Sequence, residues 1–130
     1  MGNISIGGSN PVRIQSMTNT NTLDTDATVA QCIRLADAGC ELVRITAQGL
    51  TEAEHLAAIK KELSRRGYDI PLIADIHFNP KAAEIAAAIV EKVRINPGNY
   101  TDRNRGKVDF SQSEYEDAID RIRVRIRPLI

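Results

Sequence analysis

Arginine residues interrupt segments that otherwise look like buried strands. The triplet Val-Arg-Ile occurs at 12–14, 43–45 and 93–95. Strands covered on both faces are usually almost entirely apolar, and burying a guanidinium group without an anion is costly. An enclosed arginine in such a strand therefore predicts an anion opposite it, either a side chain or a ligand. For Arg13, near the start of its segment, we expect an intramolecular ion pair or exposure to solvent.

Polar side chains converge at the expected carboxyl ends of three strands. Arg44 and Arg94 lie near the ends of their strands, where barrels and open α/β sheets bind ligands. A strand between them ends with Asp75 and His77, which share a side by alternation, as Arg94 does with Asn96. Guanidinium groups contact phosphate oxygens through two N–H groups at once. We therefore predict a phosphate or diphosphate site here, with a structural polar network as the alternative.

Other reactive side chains give weaker signals. Cys32 and Cys40 are the only cysteines and form no CxxC motif, whereas a cluster usually needs about four ligands, so we interpret both as small buried apolar residues and expect no metal site. His55, alone on a helix face, is expected to be solvated. The four arginines within 121–127 would spread around a helix, so we expect no nucleic-acid interface.

Alternating strands and helices have to position the predicted site. Strands are predicted at 12–17, 41–46, 71–76 and 92–95, and helices at 26–38, 51–66, 80–90 and from 114 onward. Thr51 and Glu54 predict a capping box for the second helix. The polar segment 100–113 is expected to be mobile. The last helix carries an apolar stripe formed by Tyr115, Ile119, Ile122 and Ile126.

This alternation predicts an α/β fold made of parallel (β/α) units with right-handed crossovers. Two architectures fit, about half of a TIM (β/α)8 barrel or a small doubly wound sheet. The first strand–helix turn contains no GxGxxG, which disfavours a dinucleotide-binding sheet. No linker or low-complexity stretch divides the chain, so residues 1–130 are expected to form one domain.

Composition narrows the class of protein. The chain has 130 residues, 42% of them hydrophobic, and its 17 basic and 17 acidic residues give no net charge. A binder of nucleic acid or of a membrane surface would need a basic field. No apolar run approaches the roughly 18 residues of a membrane span, and the start lacks the apolar core of a signal peptide. A cytoplasmic, bacterial setting is therefore expected.

Four segments together carry a family resemblance. They are Gln-Ser-Met-Thr-Asn-Thr at 15–20, Ala-Gly-Cys-Glu-Leu-Val-Arg at 38–44, Ala-Asp-Ile-His-Phe-Asn at 74–79 and Lys-Val-Arg-Ile-Asn-Pro-Gly-Asn at 92–99. In order and spacing they resemble the N-terminal barrel motifs of the 4-hydroxy-3-methylbut-2-enyl diphosphate synthase family, from about residue 4 to at least residue 100. The segment 44–49 is similar to the longer form found in plants and some bacteria, which has an extra domain.

The resemblance implies a reductive ring opening of 2-C-methyl-D-erythritol 2,4-cyclodiphosphate in non-mevalonate isoprenoid biosynthesis. In that family a [4Fe–4S] cluster accepts the substrate oxygen, ferredoxin or flavodoxin supplies two electrons, and the barrel anchors the diphosphate. By motif match, the residues that line this pocket are Arg44, Asp75, His77, Arg94 and Asn96.

The chain also departs from the family pattern. The later barrel strands are absent, as is the C-terminal domain whose three cysteines and glutamate hold the cluster, and Cys32 and Cys40 do not match those cysteines. We therefore expect an N-terminal piece, either a truncated gene product or a deliberately shortened chain, that binds no cluster and is inactive alone. Its first and fourth strands would each lack a neighbour, which predicts a homodimer or larger assembly through the barrel seam.

Two alternatives stay open. One is a non-catalytic anion-binding or assembly module built on a half barrel. The other is a pterin-binding barrel of the dihydropteroate synthase type, whose early strands also end in Asp and Asn but which would lack the segment at 15–20.

Overall fold

Strands and helices alternate along the chain in the computed structural model, which describes residues 2–100 and 111–130. The strands are β1 (Gln15–Met17), β2 (Leu42–Ala47), β3 (Leu72–Ile76) and β4 (Lys92–Arg94). The helices are α1 (Thr25–Asp37), α2 (Leu50–Arg65), α3 (Pro80–Ala87) and α4 (Gln112–Ile126), with short 3-10 turns at Pro97–Asn99 and Arg127–Leu129. Most of the segment predicted to be mobile, residues 101–110, lies outside the described residues.

The strands form one parallel sheet in the order β1-β2-β3-β4. A doubly wound sheet reverses its strand order at a switch point, whereas the order here follows the chain without reversal. Right-handed crossovers that always step in one direction leave every connecting helix on the same face. The prediction of parallel (β/α) units is confirmed, and the strand order favours a barrel segment over a doubly wound sheet.

The helices cover one face of the sheet and enclose the core. Side chains of β2 and β3 that point toward the helices, such as Val43 and Ile76, are buried. The inward residues predicted for α2, Leu56, Ile59 and Leu63, are all buried against them. By alternation along the strands, the residues between these core positions face away from the helices. The opposite face of the sheet therefore carries the polar side chains of the candidate site.

Helix caps explain where most helices begin. Asp24 caps α1, since its carboxylate accepts a hydrogen bond from the Ala27 amide at 3.0 Å, and Ser111 and Glu114 form a capping box at α4. The capping box predicted for α2 from Thr51 and Glu54 is wrong. That helix begins at Leu50 after the uncapped Gly49, so Thr51 already lies in its first turn.

Two strands are shorter than predicted. The segment 12–14 is not part of β1, which begins at Gln15, and Val12 is 96% exposed. Arg13 instead pairs with Glu41 at 2.7 Å, which confirms the ion pair expected for it. β4 ends at Arg94, one residue before the predicted end, and α3 ends at Ala87 rather than at residue 90.

Helix α4 lies beside α3 and the end of the sheet. Ile126 packs against the core, and Ile122 is half-buried, as the predicted apolar stripe requires. Tyr115 and Ile119 are exposed, so the first half of that stripe does not pack as expected. Within the described ranges, no helix has the length and apolar character needed to cross a bilayer.

Candidate anion-binding site

The candidate site lies on the sheet face opposite the helices, at the carboxyl ends of the strands. The register places Asp75 of β3 beside Arg94 of β4 and beside Thr46 of β2. Arg44 is two residues before Thr46, so it lies on the same face. Parallel pairing thus brings two arginines, from the strands on either side of β3, next to one aspartate.

The Asp75 carboxylate contacts three basic groups. Arg94 Nη1 donates a hydrogen bond to Asp75 Oδ1 at 3.1 Å. Arg44 Nη2 lies 3.2 Å from Oδ2, and His77 Nε2 lies 3.3 Å from the same oxygen. The structure therefore brings together four of the five predicted site residues around a single carboxylate.

Burial in this cluster differs between the carboxylate and the cations. The Asp75 side chain is 2% exposed, whereas those of Arg44 and Arg94 are 31% and 42% exposed. Even without a charge on His77, the two guanidinium groups and one carboxylate leave a net positive charge. Each arginine uses one terminal nitrogen on Asp75, so its other terminal nitrogen can face a ligand. Arg44 Nε is buried and has no hydrogen-bond partner among the described residues.

Asn96, the fifth predicted residue, lies outside this cluster. Its Oδ1 accepts a hydrogen bond from the Gly98 amide at 3.1 Å and caps the turn Pro97–Asn99. The chain leaves the sheet after Arg94, so strand alternation no longer directs the Asn96 side chain toward Asp75. Its exposed amide nitrogen has no partner within residues 2–100 and 111–130.

A polar cavity next to the cluster was not predicted. It has a volume of about 260 Å³ and is lined by Thr18, Asn19, Thr20, Asn21, Thr22, Thr46, Gln48 and Glu52. Thr46 connects it to the cluster, because Thr46 is the register partner of Asp75. The sequence contains a signal for this cavity, the unbroken run of threonine and asparagine at 18–22 directly after β1.

His55 takes no part in the site, and the expectation that it is merely solvated is wrong. Its Nε2 and the Thr25 hydroxyl lie 2.7 Å apart in a half-buried hydrogen bond. The two residues belong to α2 and α1, so this contact joins neighbouring helices.

The cysteines do not fit an iron–sulfur cluster. Cys32 is fully buried, and burial raises the pKa of its thiol to about 11, which disfavours the thiolate that metals bind. Cys40 is half-buried beside the start of β2. In the part of the chain that the structure describes, no group of three or more His, Cys, Asp or Glu residues could hold a metal ion. The interpretation of Cys32 as a small buried apolar residue is confirmed.

Comparisons with known proteins agree with the barrel geometry. Residues 1–126 match the family model of the GcpE TIM-barrel domain. The chain is 52% identical over its whole length to the 4-hydroxy-3-methylbut-2-en-1-yl diphosphate synthase (flavodoxin) of Parabacteroides distasonis, of which it covers 22%. Proteins of the same name are 54% identical over 96% of the chain in Phocaeicola vulgatus and 44% identical over the whole chain in Leptospira interrogans. The chain spans about a fifth of the length of these relatives, between 20% and 22%.

Proposed function

Because the chain belongs to the GcpE TIM-barrel domain family, we propose that residues 1–130 form the N-terminal part of the substrate-binding barrel of a 4-hydroxy-3-methylbut-2-enyl diphosphate synthase. The whole protein would open 2-C-methyl-D-erythritol 2,4-cyclodiphosphate reductively. The relatives are named as flavodoxin-type synthases, which supports flavodoxin as the electron donor. The later strands and the domain that holds the [4Fe–4S] cluster would belong to the remainder of that protein.

This part of the barrel would hold the diphosphate group of the substrate. The observation that carries the proposal is the pair of arginines, Arg44 and Arg94, held on one buried carboxylate at the carboxyl edge of the sheet. Barrels of this type bind their ligands at that edge, and a guanidinium group matches the spacing of phosphate oxygens. His77 and the free amide of Asn96 would add further donors. Asp75 would belong to the same site through its contacts with both arginines.

Binding by the 130-residue chain should be weak. Only donors at or just beyond the ends of β2, β3 and β4 would face the anion, and the partly exposed arginines would remain open to water, so charge–charge attraction is screened. The family membership also disfavours the alternative of a pterin-binding barrel, whereas a non-catalytic anion-binding role uses the same residues.

Calorimetric titration with inorganic diphosphate tests the site. Replacing Arg44 or Arg94 with Ala should weaken binding by about 1.5–3 kcal/mol, as expected for the loss of a charge-assisted hydrogen bond. Arg13→Ala is the matched control, since Arg13 is paired with Glu41 outside the cluster, and it should bind as the wild type does.

Equal titration curves for the wild type and both site variants would defeat the assignment. Loss of affinity in all three variants would show that diphosphate responds to overall charge rather than to this cluster.

A further inference from the structure

We propose that Asp75 is a positioning residue, which holds Arg44 and Arg94 in the geometry that an anion needs and does not itself touch the anion. The inference rests on the proposed function, because it concerns the same site. It gives Asp75 a different role from Arg44 and Arg94, whose N–H groups would contact the anion.

Both oxygens of Asp75 are already occupied. Oδ1 accepts from Arg94, and Oδ2 lies within 3.3 Å of both Arg44 and His77. With 2% of its side chain exposed, Asp75 has almost no surface to offer a ligand. An ionised carboxylate is also an acceptor only, so it would repel a phosphate oxygen rather than bind it.

The two arginines need an anchor because they stand on strands separated by β3. Arg44 is on β2 and Arg94 on β4, and both are partly exposed. Long flexible side chains lose conformational entropy when a ligand orders them, and ordering them beforehand increases affinity. One carboxylate between them fixes one terminal nitrogen of each arginine and leaves the other terminal nitrogen of each available to a ligand.

A competing role for Asp75 predicts the opposite change in anion affinity when its charge is removed. If Asp75 only neutralised the arginines, removing its charge would leave the cluster more positive and anions would bind more tightly. If Asp75 positions the arginines, the same change releases both guanidinium groups and anions bind more weakly. Asp75→Asn preserves the shape of the side chain and therefore distinguishes the two roles.

The experiment titrates wild type, Asp75→Asn and Asp75→Glu with inorganic diphosphate. We expect both variants to bind about tenfold more weakly, as loss of preorganisation implies. Asp75→Glu retains the charge but displaces it, so a role in charge alone would leave its affinity unchanged. Glu41→Gln is the matched control, because it neutralises the carboxylate that pairs with Arg13 away from the site, and its affinity should equal that of the wild type.

A second readout needs no ligand. In the wild type, the guanidinium N–H resonances of Arg44 and Arg94 should be resolved in nitrogen-15 NMR spectra, because the ion pairs restrict rotation, and in Asp75→Asn they should merge. Circular dichroism verifies that each variant is folded. If Asp75→Asn does not fold, the same spectra are recorded for Asp75→Glu.

The outcomes separate this inference from the proposed function. Unchanged or tighter diphosphate binding by folded Asp75→Asn or Asp75→Glu overturns the positioning role and leaves the site intact. If the wild type itself does not bind diphosphate, the proposed function fails. The NMR spectra then test the positioning role by themselves. Arginine resonances that are the same in Asp75→Asn as in the wild type overturn it.

Discussion

Cys32 is a buried thiol in the apolar core between α1 and the sheet. Burial raises its pKa from 9.0 to about 11. Because the folded-state pKa lies above the unfolded value, the contribution of Cys32 to stability is fully present below pH 9.0 and is lost as the pH rises toward about 11. Two pKa units correspond to about 3 kcal/mol of unfolding free energy.

Urea unfolding across that pH range measures this contribution. Cys32→Ala should be less stable near neutral pH, since it leaves a small cavity, but it should lose less stability than the wild type as the pH rises. Cys40→Ala is the control, because Cys40 is only half-buried, and its pH dependence should follow the wild type. Parallel pH profiles for wild type and Cys32→Ala would contradict the assignment.

Helix α1 depends on a side-chain cap, whereas α2 does not. Asp24→Ala removes the acceptor of the Ala27 amide and should lower the unfolding free energy by about 1 kcal/mol. Thr51→Ala removes no cap, since Gly49 occupies the cap position of α2, and should change stability by less than about 0.5 kcal/mol. Urea unfolding of both variants tests the pair, and an equal loss in the two would show that Thr51 does cap its helix.

The elements that the sequence predicted best are those with a strong apolar period. Helix α2 and strands β2 and β3 lie within one or two residues of their predicted bounds, because buried residues at regular spacing define them. The triplet Val-Arg-Ile at 12–14 was wrongly predicted to be part of a strand, because these three residues lie outside the sheet. Arg13 is held there by Glu41 and by the carbonyl of Ser5. A partner so distant along the chain leaves no local signal.

The positions of the site residues could be predicted from the sequence only where those residues lie within strands. Arg44, Asp75 and Arg94 lie within strands, so alternation and parallel register place them correctly on one face. Asn96 follows the end of β4, where a turn redirects the chain and the Asn96 side chain caps it. Strand alternation applies only to residues within the strand, and β4 ends at Arg94. The position of Asn96 relative to the cluster could therefore not be derived from the sequence.

At the scale of the whole molecule, the sheet has two open edges within the described residues, β1 and β4. An open edge exposes N–H and C=O groups that can pair with another strand. The C-terminal turn packs beside β4, where Ile126 and Leu129 join residues of α3 and β4 around a groove. These contacts cover the helix side of the sheet end, and the face that carries Arg44 and Arg94 stays partly open.

The 130-residue chain is therefore predicted to form a homodimer through the barrel seam. Placing β4 of one copy beside β1 of its partner, twice around a two-fold axis, would close a ring of parallel strands with no edge, as in a complete barrel. Light scattering at increasing micromolar concentration should approach twice the monomer mass of 14.3 kDa. A mass that stays at 14.3 kDa would contradict the dimer and would favour a monomer whose tail covers the open face.

Substitutions beside the seam distinguish edge pairing from nonspecific association. Ile14 is 60% exposed immediately before β1, and a lysine at a strand edge opposes pairing because its charge would be buried in the contact. Ile14→Lys should therefore shift the scattering mass toward the monomer. Val124→Lys, on the exposed surface of α4, introduces the same charge away from the edge and should leave the dimer unchanged. If both variants dissociate equally, the copies associate through exposed apolar surface and not through the strands.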